Sequence, residues 1–147
     1  MIPFPTAFSD LLKSLNDHEV TYLVVGGYAV GFHGHARTTG DIDIWIEQSP
    51  ANAERVRVAL GEFGFDTEVL EPGSLLKEDQ IVRMGYPPLR VEVMTSVSGV
   101  NFSDCYERRV EGELGEVETS LIGLDDLKAN KRASGRLKDL NDLEKLS

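Results

Sequence analysis

The chain has 147 residues, 41% hydrophobic and 27% charged. That length and balance fit one globular domain, expected to span residues 1–147, and exclude a disordered chain, a collagen and a coiled coil. Lys and Arg number 15 against 25 Asp and Glu, a net charge of −10, which excludes a general electrostatic footprint for long nucleic acid. A single cysteine, Cys105, excludes an internal disulfide and a cysteine-based metal cluster. The apolar run Tyr22–Val25 is far too short for a membrane span. The start, Met1-Ile2-Pro3-Phe4-Pro5, lacks the basic residues and apolar stretch of a signal peptide. The expectation is a cytoplasmic protein that contacts no membrane.

The elements alternate in type along the chain. Residues 6–18 place Phe8, Leu11, Leu12 and Leu15 at helical spacing, an amphipathic helix. Residues 21–25 read as a buried strand ending at Gly26-Gly27, and 28–35 as a short helix. Residues 41–47 alternate, with Ile42, Ile44 and Ile46 on one face and Asp41, Asp43 and Trp45 on the other. Residues 50–63 read as a helix with Val56, Leu60 and Phe63 on one side. Strands are expected at 65–70, 80–84, 89–94 and 117–121, with a turn at Pro87-Pro88. A helical segment, 123–147, closes the chain as two helices, 124–133 and 137–146, broken at Gly135. Strands interleaved with helices predict an α+β (α/β) fold, a mixed β-sheet with helices packed on it.

The charge is uneven. Residues 1–122 hold 9 basic and 20 acidic side chains, whereas 123–147 hold 6 basic and 5 acidic. Lys128, Lys131, Arg132, Arg136 and Lys138 follow one another with no acid between them. This stretch is the first candidate for a polyanion, although a solvated helix face is the plainer reading.

Three further features carry chemistry. A strand ending in Gly26-Gly27 and leading into a helix lets a ligand approach the backbone, and the helix start favours an anion; a plain turn is the common alternative. Asp41 and Asp43, two apart on a strand, project from one face while the isoleucines take the other. Side by side their charges repel, and a divalent cation removes that cost; Mg²⁺ prefers one or two carboxylates plus substrate phosphates. The alternative is an acidic, solvent-facing strand. Glu92 lies opposite Val91 and Val93 on its strand. If that strand neighbours 41–47, three carboxylates converge, as a two-metal phosphoryl or nucleotidyl transfer site requires; otherwise Glu92 is a surface acid paired with Arg90 or Arg83.

The run Gly26-Gly27, a short helix, Arg37-x-Thr39-x-Asp41-x-Asp43 and a later acidic strand residue resembles the nucleotidyltransferase superfold related to DNA polymerase β. The tail Asn130-Lys131-Arg132-Ala133-Ser134-Gly135-Arg136-Leu137-Lys138-Asp139 is similar to that of small bacterial and archaeal nucleotidyltransferases of the minimal and abortive-infection toxin type. The resemblance covers residues 20–145. Glu92 stands where that family usually has Asp. The resemblance implies the polymerase β-like palm fold and these roles. Asp41, Asp43 and Glu92 would be catalytic and hold Mg²⁺, or Mn²⁺ in its place, with Glu92 as third ligand or as base for the incoming hydroxyl. Gly26, Gly27, Arg37, Thr39, Lys131 and Lys138 would bind the nucleotide. Asp139 would cap the last helix or pair with Arg136.

The implied activity moves a nucleoside monophosphate from an NTP to a hydroxyl acceptor, an RNA or tRNA end or a protein, releasing pyrophosphate. The same resemblance implies the toxin of a toxin–antitoxin pair, with an antitoxin protein as partner. The rival expectation is a catalytically weak or inactive module that binds nucleotide or a partner. Several residues have plainer uses. His33 and His35 suit local hydrogen bonds better than a metal. His18 suits a helix C-terminus. Cys105 reads as a small hydrophobe, and Trp45 and Tyr28 as sheet-face packing rather than base-stacking rings.

Overall fold

The computed structural model describes residues 4–35, 40–67, 70, 73–86 and 89–146. Six strands form one mixed sheet. They are β1 (Tyr22–Val25), β2 (Asp41–Ile46), β3 (Ile81–Met84), β4 (Arg90–Met94), β5 (Val110–Leu114) and β6 (Val117–Leu121), in the order β3-β4-β2-β1-β6-β5. Parallel pairing joins β2 to β4 and β1 to β6; the other neighbours are antiparallel. Among the described residues six α-helices accompany them, α1 (Thr6–Asp17), α2 (Gly26–Phe32), α3 (Pro50–Phe63), α4 (Phe102–Glu107), α5 (Leu124–Ser134) and α6 (Leu137–Lys145), with a short 3-10 helix at Ser74–Leu76. The expected mixed α/β architecture is the one observed. Among the described residues no helix is long and apolar enough to cross a membrane.

The alternation of β2 explains the layering. Ile42, Ile44 and Ile46 join Phe8, Leu11, Leu12 and Leu15 of α1 and Val56 and Leu60 of α3 in one core. Each such side chain stabilises the fold by about 1.5–3 kcal/mol when taken out of water. Trp45 points the other way and is buried too, among Leu23, Val25, Met94, Ile122 and Leu127. Its indole stands edge-on to Phe102, with centroids 5.0 Å apart, and donates to the Thr95 carbonyl over 3.3 Å. The face opposite the isoleucines is therefore a second core at the Trp45 end and opens only at Asp41 and Asp43. Tyr28 packs edge-on against Phe4 and Phe8. Both rings fill the layers, as their plainer reading expected.

Three expectations need correction. Phe65 and Asp66 form no strand; Phe65 lies on Phe63, and Leu70 enters the α1–α3 core after a turn in which its N–H donates to Thr67. Glu68 and Val69 of that expected strand, and the expected Pro87-Pro88 turn, lie outside the described residues. The second helix begins at the diglycine and ends at Phe32 rather than running over 28–35, because His33 leaves the helical path as its cap. Helix α4 and strand β5 were not expected. Asn101 caps α4 by accepting from the Asp104 N–H. Gly115 and Glu116, both at positive φ, turn β5 into β6, the geometry of a tight hairpin. That Gly-Glu dipeptide was the available signal.

Candidate active site

Strand register assembles the site. Parallel pairing sets Asp43 beside Glu92 and Asp41 beside Arg90, while Arg83 of β3 lies across from Glu92. Residues opposite one another share a face, so Asp41, Asp43, Arg90, Glu92 and Arg83 form one charged surface. The condition set by the sequence, that the Glu92 strand neighbour the Asp41–Asp43 strand, is met. On the other side, β1 pairs Val25 with Asp43, which delivers Gly26 to the carboxylate. Gly26 has φ +71, and a Cβ there would collide with Asp43 Oδ2. Only glycine lets the start of α2 lie against the acid.

These groups line a cavity of about 870 Å³ that also reaches Gly27 and Lys138. Asp43 is its electrostatic focus. Burial, then the charge and hydrogen bond of Glu92, then the charge of Asp41 push its carboxyl up to about 7, against an opposing pull from Lys138. Arg90 Nη2 donates to Asp41 Oδ2 over 2.8 Å and lies 3.9 Å from Glu92 Oε1; Arg83 Nε donates to Glu92 Oε1 over 2.9 Å. Glu92 thus lines the cavity beside Asp43 and is also paired with Arg83, the pairing its second alternative expected. Two buried polar side-chain atoms lack a hydrogen-bond partner among the described residues, Asp43 Oδ1 and Arg90 Nε. Both belong to this cavity.

Among the described residues no three His, Cys, Asp or Glu side chains form a ready metal cluster. The physical reason is visible: guanidiniums engage Asp41 and Glu92. The donor chemistry nonetheless fits Mg²⁺, which takes oxygen ligands and keeps several for water and phosphate. Asp43 Oδ1 is a buried carboxyl oxygen with no hydrogen-bond partner among the described residues. Asp41 and Glu92 would complete such a set, each now engaged by an arginine.

The basic tail divides into two roles. Lys138 lines the cavity. Lys131 lines it also, but its side chain is only 4% exposed and its ammonium is engaged by Asp139 Oδ1 at 3.0 Å and Asp142 Oδ2 at 3.4 Å. Asp139 further accepts from Ser134 Oγ at 2.7 Å and Arg136 Nε at 2.6 Å. Burial alone would raise the Asp139 carboxyl, but these donors outweigh it and hold it well below the usual carboxylate range. Pairing of Asp139 with Arg136 is the observed one of its two expected uses. Gly135, in the left-handed region at φ 67, turns α5 into α6, so the cluster fixes the helix start that carries Lys138. Sequence reasoning missed Ser134 and Asp142; the Asp139-x-x-Asp142 spacing, one helical turn, was the signal. Arg37 and Thr39 lie outside the described residues.

The remaining candidates have local uses. His33 Nε2 lies 2.7 Å from the Ile122 carbonyl, to which the ring N–H donates. His18 caps α1 and pairs with Glu62. Burial, with the charge and hydrogen bond of Asp126, pushes the Cys105 thiol up to about 12, leaving it an unreactive hydrophobe.

Among curated proteins none matches this sequence. The fold is similar to that of a Thermotoga maritima protein, solved at 1.87 Å and described provisionally as a nucleotidyltransferase. The TM-score is 0.66 at 14% identity, over 95% of this chain and 89% of that one; at that identity the likeness concerns the fold. The sequence itself matches a family model over residues 6–147. The chain belongs to that family, described as nucleotidyltransferase of unknown function (DUF6036).

Proposed function

We propose that the protein is a Mg²⁺-dependent nucleotidyltransferase that moves a nucleoside monophosphate from an NTP to a hydroxyl acceptor. The observation that carries this reading is the buried Asp43 carboxylate with an unpartnered oxygen, flanked by Asp41 and Glu92 in a cavity reached by the diglycine. Asp41, Asp43 and Glu92 would hold Mg²⁺, or Mn²⁺ in its place. The bound cation would supply neutralisation of the triphosphate and activation of the attacking hydroxyl.

The chain's own groups do the rest. Gly26 and Gly27 admit phosphate oxygens to the backbone. Lys138 adds positive charge to the cavity, and Lys131 acts at one remove by anchoring the helix start that bears it. Glu92 accepts the proton of the hydroxyl. The acceptor oxygen bonds to the α-phosphorus, the α–β bridge breaks, and pyrophosphate leaves with the bridging electrons. Most of the catalysis is positioning and charge stabilisation.

An RNA or tRNA end or a protein hydroxyl would be the acceptor. A toxin role opposed by an antitoxin protein rests on the likeness of the Lys131–Asp139 tail to small toxin-type enzymes. The second reading, a nucleotide-binding module without catalysis, is favoured by the arginines that engage Asp41 and Glu92.

The test is incubation of the protein with each α-labelled NTP, Mg²⁺ and either total RNA or protein extract, beside Asp43→Asn. Label in one pool, and none with the variant, is expected and names the acceptor class. Mg²⁺–NTP binding without label in any pool would favour the second reading.

A further inference from the structure

The two unpartnered buried atoms are of opposite kind. Asp43 Oδ1 is an oxygen that can accept and Arg90 Nε is a donor, each without a hydrogen-bond partner among the described residues. They sit on neighbouring strands of the same face, two register positions apart, since Arg90 pairs with Asp41 and Asp43 with Glu92. Each costs free energy as it stands, because a buried polar group without a partner has lost its water. They do not satisfy one another: the Arg90 fork is turned to Asp41, with Nη2 2.8 Å from Oδ2. The Arg90 side chain keeps 34% of its surface exposed, so it has room to move.

From this we infer that Arg90 exchanges partners when substrate binds: it is the counter-ion of Asp41 in the cation-free protein and a ligand of the triphosphate in the loaded one. The inference rests on the reading of the cavity as a nucleotidyl-transfer site. A divalent cation on Asp41 and Asp43 repels the guanidinium and takes over its task of neutralising Asp41. The freed fork then turns into the cavity, where an incoming phosphate competes for it with Glu92, whose Oε1 lies 3.9 Å from Nη2. A planar guanidinium matches two phosphate oxygens at once, and Nε is one of the donors used in such a grip. The cation and the triphosphate that arrive together therefore satisfy both unpartnered atoms. Arg83, paired with Glu92 over 2.9 Å from the sheet edge and 57% exposed, holds the third carboxylate meanwhile.

The test uses the full chain, with Mn²⁺ alone and inorganic tripolyphosphate as probes, in the wild type, Arg90→Gln and Arg90→Lys. Removing the competing guanidinium in Arg90→Gln is expected to tighten binding of Mn²⁺ alone by about threefold. The same variant is expected to weaken tripolyphosphate binding at saturating Mn²⁺ by about tenfold, the loss of a charged hydrogen-bonding partner. Arg90→Lys keeps the charge but not the fork; it is expected to bind Mn²⁺ as the wild type does and tripolyphosphate more weakly.

Unchanged affinities in both variants, or a parallel loss of both probes, would overturn the exchange and leave Arg90 a fixed structural pair of Asp41. A wild type that binds neither probe would overturn the nucleotidyl-transfer reading itself. Should the variants not fold, the wild type still decides. The Arg90 Nε–H resonance is expected to move on adding Mg²⁺ with tripolyphosphate, and an unmoved resonance in a protein that binds both would contradict the exchange.

Discussion

Two charged clusters adjoin the same cavity, and they are built in opposite ways. Lys131, Asp139 and Asp142 lie almost wholly out of water. Asp139 there accepts from Lys131, Ser134 and Arg136. Asp41, Asp43 and Glu92 share a sheet face with two arginines, yet Asp43 Oδ1 and Arg90 Nε are left over. The first cluster is closed, its buried charges paired; the second is open and leaves two buried polar atoms without partners among the described residues. Lys131, although it lines the cavity, has its ammonium engaged by Asp139 and Asp142.

The contrast breaks most visibly at Lys131. Lys131→Met strips the cation from two buried carboxylates and should cost about 3–5 kcal/mol in denaturant unfolding. Replacing Asp139 and Asp142 by Asn alongside it should restore most of that loss, which identifies the penalty as unpaired charge. If Lys131→Met left stability unchanged, the cluster would not be the closed unit described.

Gly26→Ala is next in size. The left-handed backbone at φ 71 costs a non-glycine residue about 1–2 kcal/mol. The new Cβ must also push Asp43 aside, so divalent-cation binding, read by calorimetry, should be lost even where the fold survives. The same substitution at Gly31, which has open space around it, should leave binding intact.

pH sharpens the comparison because the two clusters respond with opposite sign. Asp139 is held below its ordinary value. Its contribution is present above the unfolded value, about 3.9, and is lost as pH falls below that. Asp43 is raised to about 7. Its contribution is complete below about 3.9 and is lost as pH rises towards 7. The cation-free melting temperature should therefore decline between pH 4 and 7 in the wild type. Asp43→Asn should lack that decline, and added Mg²⁺ should reverse it at pH 7.5. The smallest effect belongs to the exposed pair Arg57–Glu54 on α3; Arg57→Ala should shift neither melting nor cation binding measurably.

Much of this was legible in the residues. Apolar spacing located α1 and α3, and strict alternation located β2 with its two carboxylates on one face. What alternation could not say is that Trp45, on the acids' own face, is buried: whether a face meets water depends on helices far along the chain, here α4 and α5. Convergence of Glu92 with Asp43 depended on strand order, which no local pattern encodes. The partners of Lys131 were hidden for the same reason, since they lie beyond a helix break, in α6. Strand β5 is an edge strand with exposed Glu111 and Glu113, so little burial marks its pattern, and only the Gly115-Glu116 turn betrayed it.

The central claim is that the open cluster holds a divalent cation for chemistry on a nucleotide. The most direct measurement is a crystal of the protein grown with Mn²⁺ and a non-hydrolysable nucleoside triphosphate, with the manganese located by its anomalous signal. The account predicts a manganese peak bonded to both Asp41 and Asp43, with the triphosphate running along Gly26 and Gly27. A nucleotide seated in the cavity with no manganese at Asp43, or manganese bound elsewhere, would contradict it.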